Sequence, residues 1–169
     1  MRVLLVKTSS LGDLIHSFPA LSDASGALPG IRFDWLVEES FAEVPVWHPA
    51  VAEVIPVALR RWRRDWRKAW RRGELKAFRA RLRETSYDLV LDAQGLMKSA
   101  LPAFLARGPR AGLDKASARA PLSSDFYQRR YAVAREQHAI DRVRHLLAQA
   151  LGYALPTGSA DYGLHFSHV

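Results

Sequence analysis

Residues 7–13 read Lys7-Thr8-Ser9-Ser10-Leu11-Gly12-Asp13, which sets a carboxylate three to six residues from three hydroxyls and a lysine. Such a carboxylate has two uses. In the first turn of a helix it favours the positive helix end and does nothing more. Facing a ligand crevice it is a general base, and the same helix end keeps it ionised at neutral pH. Ser9, Ser10 and the free N–H groups of the turn would also hold an anion there. The turn lacks the glycines of a dinucleotide fingerprint and the GxxxxGK[ST] of a P-loop, so neither of those ligands is indicated.

The second constellation lies in residues 60–72, where Arg60, Arg61, Arg63, Arg64, Arg67, Lys68, Arg71 and Arg72 face a single acid, Asp65. This segment carries +7 of the formal +8 of the chain, so the basic character is a patch rather than a property of the whole surface. Trp62, Trp66 and Trp70 recur every four residues within it and would line one face of a continuous helix. A solvated helix packing its tryptophans inward is one reading. The other is an anion site, since arginine forks suit carboxylates and phosphates, and nucleic acid, an anionic membrane surface or a polyanionic headgroup would each fit. Gln94 and Lys98 would face the same crevice as Asp13. His138 opens the last helix, as a cap or a surface residue, and Arg119, Arg129, Arg130 and Arg142 would extend the basic surface. No histidine–carboxylate spacing indicates a metal site, and no GxSxG elbow is present.

The elements that must position these groups follow from periodicity. The apolar run Val3-Leu4-Leu5-Val6 predicts a strand over 2–7 covered on both faces. Leu11, Leu14, Ile15 and Phe18 then form one helical stripe, with Pro19 kinking or breaking that helix before it stops near residues 28–30. Further strands are expected over 31–37, 53–57, 87–92, 110–113 and 131–134. Helices are expected over 74–84, from the Ala93-Gln94-Gly95 turn to about 107, and over 138–151, while 115–130 has no clear pattern. Strands alternating with helices predict an α/β fold, Rossmann-like, with a mostly parallel sheet and helices on both faces.

Composition narrows the class. The chain has 169 residues, 49% of them apolar, and no cysteine, which excludes disulfides, cysteine-ligated zinc and thiol nucleophiles. The first apolar run is too short for a signal peptide, and no stretch approaches the ~20 apolar residues of a spanning helix. A cytoplasmic protein, soluble or peripheral to a membrane, is expected. One domain is expected over 1–152, with linker composition over 153–169.

With these residues in hand, the chain resembles glycosyltransferase family 9, the heptosyltransferases of lipopolysaccharide synthesis. The resemblance is carried by RVLLVKTSSLGD (2–13), FDWLVEE (33–39), VIPV (54–57), RRWR (60–63), YDLVLDAQGLMKS (87–99) and Gln137-His138. It implies the N-terminal half of a GT-B fold, with 153–169 starting a path to a donor-binding domain. It implies an acceptor, Kdo2-lipid A, held by this half, and a donor, ADP-L-glycero-β-D-manno-heptose, held by the other, with no cofactor or metal and a site on the cytoplasmic face of the inner membrane. Nucleic acid is then not a partner. By the same resemblance Asp13 is the base that deprotonates the O5 hydroxyl of the first Kdo in an inverting displacement. ADP leaves as a stable anion, so no second carboxylic acid is required. Ser9, Ser10, Arg60, Arg61, Arg63, Arg64, Gln94, Lys98, Arg119, His138 and Arg142 become acceptor-binding candidates, each charged contact contributing roughly 1.5–3 kcal/mol if shielded from water and much less if exposed. The alternatives are a family 9 enzyme acting on a later core heptose, and a non-catalytic basic α/β module for nucleic acid or anionic lipid.

Overall fold

The computed structural model describes residues 1–164. Six strands, β1 (Arg2–Val6), β2 (Arg32–Glu38), β3 (Val51–Val57), β4 (Leu89–Asp92), β5 (Arg110–Leu113) and β6 (Arg129–Tyr131), form one sheet in the order β3-β2-β1-β4-β5-β6. Every pairing is parallel. The chain therefore crosses over between each pair, and helices cover both faces. Alternation along β1 assigns the two cores. Val3 and Leu5 pack with the apolar side of α2 (Phe18–Ala27) and α7 (Ala139–Leu151). Leu4 and Val6 point the other way, into a smaller core with Leu82, Phe78 and Ala103. The last two belong to α5 (Glu74–Arg83) and α6 (Met97–Leu105).

The largest buried side chain, Trp35, also has a polar task. Its ring is fully buried, and its Nε1 donates to the Lys7 carbonyl at 2.9 Å, fixing the point where β1 ends. The first helical stripe is split in two. A short α1 (Leu11–Ile15) ends at His16, and α2 restarts with Pro19 in its first turn, where a missing N–H costs nothing.

Two expectations need correction. The last strand lies at 129–131 rather than 131–134, because the pairing partner of β5 is set by register with Ala111–Leu113 and not by the apolar residues that follow. The tryptophan-rich segment is not one helix. It divides at Asp65, whose extended backbone (φ −152°, ψ 79°) ends α3 (Leu59–Arg64), and whose carboxylate accepts from the Lys68 N–H to start α4 (Trp66–Arg71). Trp62 therefore does not share a face with the other two. It packs edge-on against Phe78 and donates to Glu74 at 2.8 Å, while Trp66 and Trp70 stand 58% and 69% exposed. The unpatterned stretch 115–130 contains a 3-10 turn, Pro121–Phe126. Beyond α7, Gly152 adopts φ +78° as the helix stop, and Tyr153, Tyr162 and Leu164 pack back against the core. His165 and the residues after it lie outside the described part.

Candidate functional site

The sheet order reverses direction of winding between β1 and β4, and in open α/β sheets that switch point, at the carboxyl ends of the strands, is where a crevice forms. The turns leaving these two strands meet there. Gln94 Oε1 accepts from both the N–H and the hydroxyl of Thr8, at 2.8 and 2.7 Å. Lys98 Nζ donates to Ser9 Oγ at 2.7 Å, and Lys7 Nζ donates to the Ala93 carbonyl at 3.3 Å. Above them opens a cleft of about 480 Å³, closed on its far side by α7 and the loops after β5 and β6.

Asp13 lines this cleft. Its Oδ2 accepts from the Ser10 N–H at 3.1 Å and from Ser10 Oγ at 2.9 Å, across the cis Ser9–Ser10 peptide. Burial pushes the carboxyl pKa up, but the two Ser10 hydrogen bonds, with the charges of Lys7 and His16, outweigh it and hold Asp13 below the usual value. Thus Asp13 is both a helix-end acid and an ionised carboxylate facing a crevice. Five cations share the lining with this one acid: Lys7, Lys98, Arg119, Arg135 and Arg142. Burial lowers the pKa of Lys7, against the raising effect of Asp13 and Asp92. Lys98 is lowered by burial first and by Arg60 next, with Arg63 and Arg119 contributing, so the arginine segment reaches the cleft through its field. Arg142 is also lowered, by burial and by Arg135 and Arg119. Such crowding of like charge needs an anion to offset it. Two buried atoms at the cleft lack protein partners among the described residues, Gln137 Oε1 and Arg142 Nε.

The structure thus brings together Ser9, Ser10, Asp13, Gln94, Lys98, Arg119 and Arg142. Arg60, Arg61, Arg63, Arg64 and His138 do not line the cleft. Arg61 is committed to Glu74 at 2.7 Å and Glu39 at 3.2 Å, bracing α3 against α5. Arg60 lies over the Phe41 ring at 5.4 Å. Arg64 borders a separate pocket of about 210 Å³ with Lys68, Arg72 and Trp62. His138 caps α7, its Nδ1 accepting from the Ile140 N–H at 3.2 Å, and meets His16 edge-on at 5.6 Å. Sequence reasoning noted Lys7 beside Asp13 and Gln137 beside His138 without giving either a place in the site, and missed Arg135 altogether. Lys7 directly follows β1 and Gln137 directly precedes the α7 cap, so proximity to an element end was the available signal. Among the described residues no group of three or more His, Asp or Glu is arranged to hold a metal ion.

A model of glycosyltransferase family 9 (heptosyltransferase) matches residues 75–168, more than half of the chain. The chain belongs to glycosyltransferase family 9. It is 62% identical to lipopolysaccharide heptosyltransferase 1 of Pseudomonas aeruginosa over 165 residues, which are 97% of this chain and 46% of that protein. The counterpart from Escherichia coli K12 is 54% identical over 98% of this chain and 53% of its own length. The chain therefore spans about half the length of the curated relatives it matches. The solved E. coli heptosyltransferase WaaC with ADP-2-deoxy-2-fluoro heptose superposes with a TM-score of 0.94 over 97% of this chain and 52% of that one. E. coli ADP-heptose lps heptosyltransferase II, at 21% identity and a TM-score of 0.67, shares the fold. The parallel, doubly covered sheet of this family 9 chain is thus shared with the solved heptosyltransferases.

Proposed function

We propose that this chain is the acceptor-holding half of an inverting heptosyltransferase, with Asp13 as general base. One observation carries the reading: an ionised carboxylate stands at the switch point of the sheet, within a cleft otherwise lined by five cations. In the proposed reaction the acceptor hydroxyl gives its proton to Asp13 as its oxygen bonds to the anomeric carbon of the heptose. The bond from that carbon to the diphosphate breaks, and its electron pair leaves with ADP. Configuration inverts. The lowered pKa makes Asp13 a weak base in water, but ensures that it is ionised when the acceptor arrives.

Lys7, Lys98, Arg119, Arg135 and Arg142 then hold the anionic groups of the acceptor, taken to be Kdo2-lipid A, and Gln137 Oε1 offers an acceptor to a sugar hydroxyl. The donor, ADP-L-glycero-β-D-manno-heptose, is assigned to a second domain of the complete protein. WaaC was solved with a donor analogue, and the matched relatives run to about twice the length of the matched segment. Arg63, Arg64, Arg67, Lys68, Arg71 and Arg72, together with exposed Trp66 and Trp70, are proposed to rest on the anionic inner-membrane surface from which a lipid-linked acceptor would be drawn. The deciding experiment replaces Asp13→Asn in the full-length protein. Turnover should fall about 10²–10⁴-fold while acceptor binding persists. An active Asp13→Asn enzyme removes the proposed role.

A further inference from the structure

Asp92 is fully buried at the end of β4, beneath the cleft and outside its lining. Its four partners are all neutral. Oδ1 accepts from the N–H groups of Gln94 at 2.9 Å and Gly95 at 3.3 Å; Oδ2 accepts from Ser99 Oγ at 2.9 Å and from the Tyr127 hydroxyl. Keeping a carboxylate there on neutral donors alone, with Lys7 acting on it only through its field, is expensive, and an apolar residue would bury more easily. Its bonds, however, lead in two directions. The Oδ1 arm shapes the turn whose Gln94 side chain grips Thr8, one residue before Ser9 and five before Asp13. The Oδ2 arm holds Tyr127, and Gly95 O accepts from the Ala120 N–H at 3.0 Å, so the loop that carries Arg119 is tied to the same turn. The Tyr127 ring itself lies flush on β5: a Cβ at Gly112 would come within 2.3 Å of it.

We propose that Asp92 is a positioning residue that sets the general-base turn, residues 8–13, and the Arg119 loop in register with one another from beneath the cleft. It touches no ligand. Because each oxygen accepts two bonds, Asp92 locks two otherwise independent segments to one point of β4. Burial raises its pKa, while its four donors favour the ionised form that alone can accept all of them.

The kinetic part of the test rests on the transfer reading above; the exchange part does not. In the full-length protein, Asp92→Ala removes both acceptor oxygens, leaving the buried Gln94 and Gly95 N–H groups and the Tyr127 hydroxyl without this partner, so both arms open. Amide hydrogen exchange over residues 8–13 should become about tenfold faster or more, with exchange over α2 and α5 unchanged. The acceptor KM should rise about tenfold with the donor KM unchanged, a split that a general loss of folded enzyme would not produce. Tyr127→Phe keeps the ring in its slot and removes only the Tyr127 bond to Oδ2, leaving the one from Ser99. Exchange over 117–120 should quicken and the acceptor KM should again rise. Unchanged exchange over 8–13 in Asp92→Ala, with only a lower melting temperature, overturns the proposal. If Asp92→Ala does not fold, Tyr127→Phe decides, and an unchanged acceptor KM with unchanged exchange over 117–120 overturns it. Absence of transfer by the unsubstituted protein would sink the functional reading and leave the exchange result to stand on its own.

Discussion

Lys98 Nζ donates to Ser9 Oγ at 2.7 Å, joining residues 89 positions apart across the seam between β1 and β4. The lysine is half-buried and depressed in pKa by burial and by neighbouring arginines, so this bond draws a reluctant cation onto the turn that carries Asp13. Replacing Lys98→Met should leave Ser9 without its partner and remove one of the five cleft cations. In the full-length enzyme the acceptor KM should rise about tenfold, the donor KM should hold, and steady-state kinetics with each substrate varied would show it.

The pH dependence of acceptor kcat/KM should be lopsided. Asp13 lies below the ordinary carboxylate value of 3.8, so it is ionised throughout the neutral range and the acid limb, if reached before unfolding, falls below that value. Lys7 and Lys98 lie below the ordinary lysine value of 10.5. As pH rises through their lowered values the cleft loses positive charge and acceptor affinity falls. Lys7→Arg, whose charge persists, should move the alkaline decline to higher pH.

His48 predicts a separate, stability-linked dependence. It is almost fully buried, its Nε2 2.9 Å from Ser22 Oγ and its Nδ1 accepting from the Ala50 N–H, and burial pushes its pKa down to about 4. The unfolded chain binds this proton more readily, near the ordinary 6.5. Folding stability therefore rises with pH between about 4 and 6.5, and falls as pH is lowered through that window, by up to ~3 kcal/mol from this one group. Denaturant titrations at pH 7 and pH 5 should differ by about 2 kcal/mol, and His48→Gln should flatten the difference.

Trp66 and Trp70 predict membrane partitioning. Full-length protein should sediment with vesicles containing anionic phospholipid and much less with neutral ones, and salt should weaken the binding. Each base near the surface contributes about 1 kcal/mol, so Lys68→Glu with Arg71→Glu should lower partitioning by an order of magnitude or more. Trp66→Ala with Trp70→Ala should weaken it at every salt concentration. Equal binding of both double variants and the parent would remove the membrane assignment.

Gly112 tests packing alone. The Tyr127 ring occupies the space that any side chain at 112 would need, so Gly112→Ala forces strand or ring to shift and should cost roughly 1–3 kcal/mol in a thermal or denaturant melt.

The strands were legible because each one buried on both faces writes an uninterrupted apolar run, as Val3–Val6 and Leu89–Leu91 do. The α3–α4 segment misled because tryptophans at four-residue spacing satisfy helical periodicity whether or not the helix is continuous. The break depends on Asp65 accepting from a backbone N–H, a capping choice that a charge-rich stretch hides. The switch-point cleft was half visible. Residues on the same turn as Asp13, or on the turn after β4, could be placed from element order alone. Arg135 and Gln137 enter it from a segment without periodicity, and their position depends on how that segment returns between β6 and α7. Arg61 is the reverse case. Its charge advertised a ligand, whereas Glu39 and Glu74, 22 and 13 residues away, already claim it.

The seam between β1 and β4 also bears on how the molecule reaches its native state. Thr8 meets Gln94 and Ser9 meets Lys98 only after two intervening strands and five helices have been threaded through parallel crossovers, so these contacts close some of the longest loops in the chain. Loop-closure entropy and high contact order place such pairings late in folding. A nascent chain that has emerged only through β3 holds Lys7, Ser10 and Asp13 but no wall to face them. The cleft is thus assembled by strand docking, and a partly folded intermediate carries Asp13 without the walls that face it.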